Sequence, residues 1–201
     1  MLDLVLDLSV LWTVLETSLI FFIILEPIGS IPIFLSLTRD MSPIQRRKTL
    51  QRAVLFALPM LMVVAVVGHW ILYLFKISLH TFMIAGGSLL FLVAIKLLLV
   101  GRWEVEAEER EEVSIFPIAI PLLTGPGAIT TAMMMVQAKG IFITFPSILL
   151  AFVGVALVFR FIEPLYKILG KHGSNGIGKV MAIFIAAIAV NFVLTGIQHY
   201  F

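Results

Sequence analysis

Two short segments, Glu26-Pro27-Ile28-Gly29-Ser30-Ile31-Pro32 and Thr124-Gly125-Pro126-Gly127-Ala128-Ile129-Thr130, place a carboxyl, several hydroxyls and helix-breaking residues inside long apolar stretches. Proline lacks an amide hydrogen and clashes with the preceding turn, while glycine relieves the steric barrier to non-helical angles. Each segment is therefore expected to end one half-helix and begin another. The second half-helix, starting near Ser30 in one case and near Gly127 in the other, points free N–H groups and a partial positive charge into the break, which suits an anionic group. Carbonyls left at the end of the first half-helix suit an ammonium or a cation. Together the two polarities fit a zwitterion.

Glu26 adds a titratable group. A carboxyl near the middle of an apolar span is expensive to bury and is retained for pairing, substrate contact or proton traffic. It is the candidate for contacting a substrate amino group or carrying a coupling proton, and the bland alternative is a structural acceptor that caps the broken helix. Ser30, Thr124, Thr130 and Thr131 can supply hydroxyls to the freed backbone. For any one of them a bond to its own helix is the commoner role, and Thr131 is the weakest candidate.

The elements that must position these groups are membrane spans. With 61% hydrophobic and 13% charged residues among 201, and a mean hydropathy of +1.12, there is too little polar residue to coat a soluble globule. About 20 apolar residues cross the hydrocarbon core. On that criterion six spans run roughly over Leu11–Thr38, Ala53–Phe75, Ser78–Val100, Val113–Gln137, Phe145–Ile162 and Val180–Gln198. The absence of cysteine excludes disulfides and thiolate metal sites. His69, His80, His172 and His199 show no metal-ligand spacing. The first residues contain no Lys or Arg that would mark a cleaved leader, so they are expected to stay attached.

Basic residues orient the chain, because cytoplasmic loops are enriched in Lys and Arg. Arg39, Arg46, Arg47, Lys48 and Arg52 fall in the first loop, Arg102 and Arg110 in the third, and Lys167, Lys171 and Lys179 in the fifth. The opposite loops carry only Lys76 and Lys139. Both termini are expected on the non-cytoplasmic side of the cell (inner) membrane. The acidic run Glu104, Glu106, Glu108, Glu109, Glu111 and Glu112 reads as a solvated loop between halves.

Pro27 and Pro126 are 99 residues apart, and similar offsets relate spans two and three to spans five and six. Three spans per half make the second half enter from the opposite side, which produces an inverted repeat. The expected fold class is an all-α membrane protein of six helices, two inverted three-helix repeats with spans 1 and 4 discontinuous. The whole is one transmembrane domain over residues 1–201: a first repeat at 1–100, an acidic cytoplasmic loop at 101–112 and a second repeat at 113–201. Asn191 in span six reads as a helix-packing amide, and Ala85, Gly86, Gly87 and Ser88 as a small-residue face for close helix approach.

The stretches EPIGSIPIFLSLT, from Glu26 to Thr38, and PLLTGPGAITT, from Pro121 to Thr131, resemble the paired signatures of the MarC family of membrane proteins. That family includes SnatA-type transporters of small neutral amino acids. The resemblance covers essentially the whole chain. It implies a pseudosymmetric bundle with discontinuous first and fourth spans that transports an amino acid such as glycine or alanine. Glu26, Pro27 and Gly29 match the family's acidic-Pro-x-Gly element, and Gly125, Pro126, Gly127, Ala128, Ile129 and Thr130 its second element. The acidic position is commonly aspartate in the family, so Glu26 carries one more methylene here.

The resulting expectation is a secondary transporter, an exporter or exchanger working by alternating access. The substrate is held by Glu26, Pro27, Gly29, Ser30, Thr124, Gly125, Gly127, Ala128 and Thr130, with Glu26 also the coupling residue. Expected partners are the lipid bilayer, a small neutral amino acid and a coupling proton or sodium ion, with no nucleic acid, metal or cofactor. The alternative is a channel, or a transporter of another small polar solute. A channel would use rings of carbonyls or charges, and no repeated selectivity element is present. An enzyme is not expected, because there is neither a Gly-x-Ser-x-Gly elbow nor a His-Glu-x-x-His element.

Overall fold

The computed structural model describes residues 2–31, 34, 35, 38, 41–100 and 123–200, with the side chains of all of these except 2–7, 69, 100, 126 and 171. Every element among them is helical: α1 (Leu2–Leu25), α2 (Pro43–Leu74), α3 (Leu79–Val100), α4 (Pro126–Lys139), α5 (Ile141–Arg160) and α6 (Ile162–Gln198). Pro32, Arg39, Arg102, Arg110, the acidic run and Pro121 lie outside the described residues.

Five segments are long and apolar enough to cross a bilayer: Leu8–Leu25, Pro43–Leu74, Leu79–Leu99, Ile141–Arg160 and His172–Gln198. α4 has only 14 residues, about 21 Å at the usual rise, and falls short of a ~30 Å hydrocarbon core. The start of the span read over Val113–Gln137 lies outside the described residues.

Several helices reach beyond the lengths read from hydropathy, because helical hydrogen bonding continues past the point where apolar residues stop. α2 begins at Pro43 rather than Ala53, so Arg46, Arg47, Lys48 and Arg52 stand on a helix and not in a loop. Its start is fixed by a reciprocal cap: the Gln45 amide donates to Ser42 Oγ at 3.3 Å and the Ser42 amide to Gln45 Oε1 at 2.9 Å, with Pro43 in the first turn where no amide is required. α6 begins at Ile162 rather than Val180 and absorbs the fifth loop. It is bent at Gly170, whose φ of 61° and ψ of −174° leave the helical region. α1 likewise starts at Leu2 and α5 at Ile141.

Lipid tails are as apolar as leucine, so helices here are held by close packing and interhelical polar bonds. α4 sits among α1, α2, α3 and α5, while α3 lies along α6 and α1 along α5 and α6. Glycines allow these approaches. A methyl built on Gly87 of α3 would lie 2.8 Å from the Ala189 carbonyl oxygen of α6, and one on Gly196 of α6 would lie 2.7 Å from the His80 carbonyl oxygen. Gly86 of α3 backs onto Thr130 of α4. Gly86 and Gly87 thus make the close approaches their composition suggests, whereas Ala85 and Ser88 lie on the exposed side of α3. Asn191 does not pack inside the chain: it lies on the exposed face of α6, because α6 presents Ala189 and Phe192 to the interior. At one end of the α3–α6 pair the Tyr200 hydroxyl is shared between Ser78 Oγ at 3.0 Å and Thr81 Oγ1 at 2.7 Å, and His80 and His199 stack at 3.5 Å.

Gly87→Ala is expected to lower stability by about 1–3 kcal/mol, since a backbone carbonyl must move to admit the methyl. Gly176→Ala, on the exposed side of α6 with nothing within 4 Å, is expected to be neutral or to stabilise by up to about 1 kcal/mol. Thermal unfolding of both in detergent micelles checks the contrast.

Candidate functional site

α1 stops at Leu25, and the next five residues turn before helical geometry resumes at Ile31. The stop follows from Pro27, which cannot donate to the helix, and from Glu26, whose φ of 45° lies in the left-handed region. Holding a non-glycine residue there costs on the order of 1–3 kcal/mol. The Glu26 amide is shared between the Phe22 and Ile23 carbonyls, both at 3.2 Å. Ile24 and Leu25 supply the remaining acceptors of this helix end. Beyond the turn, Ser30 caps back onto the Glu26 carbonyl, through its amide at 3.2 Å and its hydroxyl at 2.8 Å. That hydroxyl therefore serves the backbone, the commoner of the two roles available to it.

The second segment is interrupted in the same manner. Leu123 is helical, Thr124 and Gly125 are not, and α4 starts at Pro126. Gly125 forms the N-cap without a side-chain bond, and its carbonyl takes the Ile129 amide at 3.1 Å. The Gly127 and Ala128 amides precede the first intrahelical bond, and a helix start of this kind favours negative charge. Thr124, Gly127, Ala128 and Thr130 are all buried. The Thr124 hydroxyl faces Met60 Sδ of α2 at 3.8 Å. Thr131 is fully buried and its hydroxyl has no partner among the described residues, so of the four hydroxyls weighed from sequence it is the one ranked last that is left unsatisfied.

The two interruptions meet at their helix ends. A methyl on Gly127 would lie 3.7 Å from Ile24 Cγ2, two residues before Glu26, and 2.5 Å from Leu90 Cδ1 of α3. The Glu26 carboxyl itself rests on a different surface. Oε1 lies 2.5 Å from where a Gly29 methyl would be and 3.1 Å from where a Gly178 methyl would be. The Gly29 and Gly178 backbones touch, so the carboxyl is seated where the turn after α1 meets α6. Glu26 is 7% exposed, and among the described residues its carboxyl has no hydrogen-bond or ion-pair partner.

Sequence reasoning missed α6 here. Gly173-Ser174-Asn175-Gly176-Ile177-Gly178 reads as loop, yet it is helix. The spacing of Gly170, Ser174, Gly178 and Ala182, four residues apart, was the available signal, since small residues at that interval mark a close helix contact. Ser174 is fully buried, and its hydroxyl has no partner among the described residues. Ser30, Thr38, Ser88 and Thr195 each donate to the carbonyl four residues back. For Ser174 that carbonyl belongs to Gly170, where the helix is broken.

Residues 11–201 match the model of the MarC family of integral membrane proteins. The chain belongs to that family. It is 36% identical to a UPF0056 membrane protein of Archaeoglobus fulgidus, over 89% of each chain. A UPF0056 membrane protein of Methanocaldococcus jannaschii is 35% identical over 88% of this chain and 92% of its own. One of Bacillus subtilis is 30% identical over 90% and 92% respectively. No solved structure matches. The protein is thus an integral, multi-pass membrane protein of the MarC family.

Glu26→Gly is expected to be more stable than Glu26→Ala by about 1 kcal/mol, because glycine accepts the positive φ that alanine resists. Both variants lose the carboxyl. Equal melting temperatures would show that the turn relaxes without strain.

Proposed function

We propose that this protein is a secondary carrier of small neutral amino acids, with the solute held between the two interruptions. The observation that carries the reading is the Glu26 carboxyl, buried and without a partner among the described residues, at a break in α1 on a surface shared with α6. An intramembrane carboxyl without a protein partner suits a ligand ammonium or a transported proton. The opening of α4 supplies the complementary polarity, with the Gly127 and Ala128 amides turned toward the end of the helix. In this assignment Glu26, Pro27, Gly29 and Ser30 form one wall and Thr124, Gly125, Gly127, Ala128 and Thr130 the other. Glu26 also carries the coupling proton or faces a coupling sodium ion.

The packing pattern supports an architecture of six spans in two inverted repeats. Exchanging α1 with α4, α2 with α5 and α3 with α6 turns the α1–α5 contact into α4–α2 and the α1–α6 contact into α4–α3, and both are present. The α1–α4, α2–α5 and α3–α6 contacts map onto themselves, and all three occur, whereas among the described residues the α4–α5 and α5–α6 contacts have no counterpart of like extent in α1–α2 and α2–α3. Alternating access then follows by rocking one half against the other around a fixed site. Both termini face away from the cytoplasm in this reading, and the compartment is the cell membrane. No chemical conversion of the solute is proposed.

Purified protein in liposomes is expected to show saturable flux of glycine or alanine. Flux should fall at least about tenfold in Glu26→Gln, corresponding to loss of one charge-assisted contact. Gly127→Leu, which fills the approach to Ile24 and Leu90, should weaken binding of the same amino acids in a thermal-shift screen. Non-saturating conductance would replace the carrier with a channel, product formation with an enzyme, and wild-type flux in Glu26→Gln at every pH would remove the carboxyl from the mechanism.

A further inference from the structure

Resting on the carrier reading, we propose that Arg46, Thr38 and Glu163, together with the Phe34–Phe159 contact, form a gate. It closes the site from the basic end of the bundle and must open for solute to exchange on that side. Arg46 stands one turn into α2, where the Ser42–Gln45 cap holds the helix start. Its guanidinium makes three bonds. Nη1 donates to Glu163 Oε1 at 2.6 Å, Nε to Thr38 Oγ1 at 2.9 Å and Nη2 to the Thr38 carbonyl at 3.0 Å. Thr38 is 1% exposed and its hydroxyl donates in turn to the Phe34 carbonyl at 2.6 Å.

One turn deeper, the rings of Phe34 and Phe159 meet edge to face with centroids 4.6 Å apart. Both are buried. Phe34 and Thr38 follow the Glu26 turn, whereas Phe159 lies in the last turn of α5 and Glu163 in the first turn of α6. Every contact of this cluster across Phe34–Phe159 and Arg46–Glu163 therefore joins the first half of the chain to the second. A tie across the two parts that rock against each other has to break whenever they separate at this end.

The far end is held more weakly. Lys139, in the last turn of α4, reaches Glu16 Oε2 at 3.5 Å and Thr17 Oγ1 at 3.0 Å. This pair too links the halves, but both of its partners are more exposed: Lys139 at 26% against 15% for Arg46, and Glu16 at 58% against 40% for Glu163. Exposed pairs contribute little, and partly buried multidentate arginine contacts contribute more. The conformer described is accordingly shut at the Arg46 end, and the Lys139 pair is the slacker of two opposed clasps.

The chain has no cysteine, so a single Ile28→Cys substitution, between Glu26 and Phe34, reports access to the site without background. Its modification by a membrane-impermeant thiol reagent is measured from each face of oriented vesicles. From the Arg46 face the rate is expected to rise about two- to fivefold with Glu163→Gln, whose pair is partly solvated, and about tenfold with Arg46→Ala, which removes all three bonds. Raised salt should speed labelling in the Ile28→Cys parent and not in the Glu163→Gln variant. Unchanged rates, or an equal rise from both faces, would overturn the gate. Should Arg46→Ala fail to assemble, Glu163→Gln and the salt series decide the matter alone. Glycine flux in the same vesicles separates the two ideas: intact flux with unchanged labelling removes the gate only, and labelling shifts without any parent flux remove the carrier only.

Discussion

Hydrocarbon offers no hydrogen bonds, so a backbone that leaves the helix within the bilayer must be enclosed by protein or water. The rest of this structure answers that one requirement. α1 is broken at Glu26, α4 opens at Gly125, and both sites are wrapped by neighbouring helices. Ser30 and the Glu26 amide recover part of the lost bonding locally. α6 comes in at Gly178 close enough to touch the Gly29 backbone. Among the described residues the carboxyl of Glu26 is left without a partner, as are the hydroxyls of Thr131 and Ser174.

Prolines do not interrupt helices here by themselves. Pro59 and Pro146 lie within α2 and α5, which continue through them. Pro27 differs because the residue before it, Glu26, takes the left-handed conformation and ends the helix there despite the strain. Pro126 differs because it occupies the first turn of α4, where its missing amide is of no consequence. The physical distinction is whether the chain leaves helical angles beside the proline, as it does at left-handed Glu26 and at extended Gly125.

The small residues of α3 and α6 perform the complementary task. With no hydrophobic force to drive helices together in lipid, close backbone approach must supply the attraction. Gly86 against Thr130, Gly87 against Ala189 and Gly178 against Gly29 are three such approaches, and two of them involve residues of the candidate site. Packing and site are therefore coupled. A substitution that loosens α3 or α6 also shifts the walls around the interruptions.

The residues alone determined the membrane class, the helical fold, the two interruptions and the candidacy of Glu26, because each follows from local composition and the chemistry of proline and glycine. Family membership was legible for the same reason, through the two segments that carry it. Helix lengths were not: α2 and α6 run past their apolar cores, where hydropathy has nothing further to report. Nor could sequence pattern assign Gly178 to Glu26, Gly127 to Ile24 or Arg46 to Glu163, which are separated by about 100 residues or more along the chain. Those pairings exist only once helices are placed side by side, and the distances at which they meet are set by packing between elements rather than by any residue's own preference.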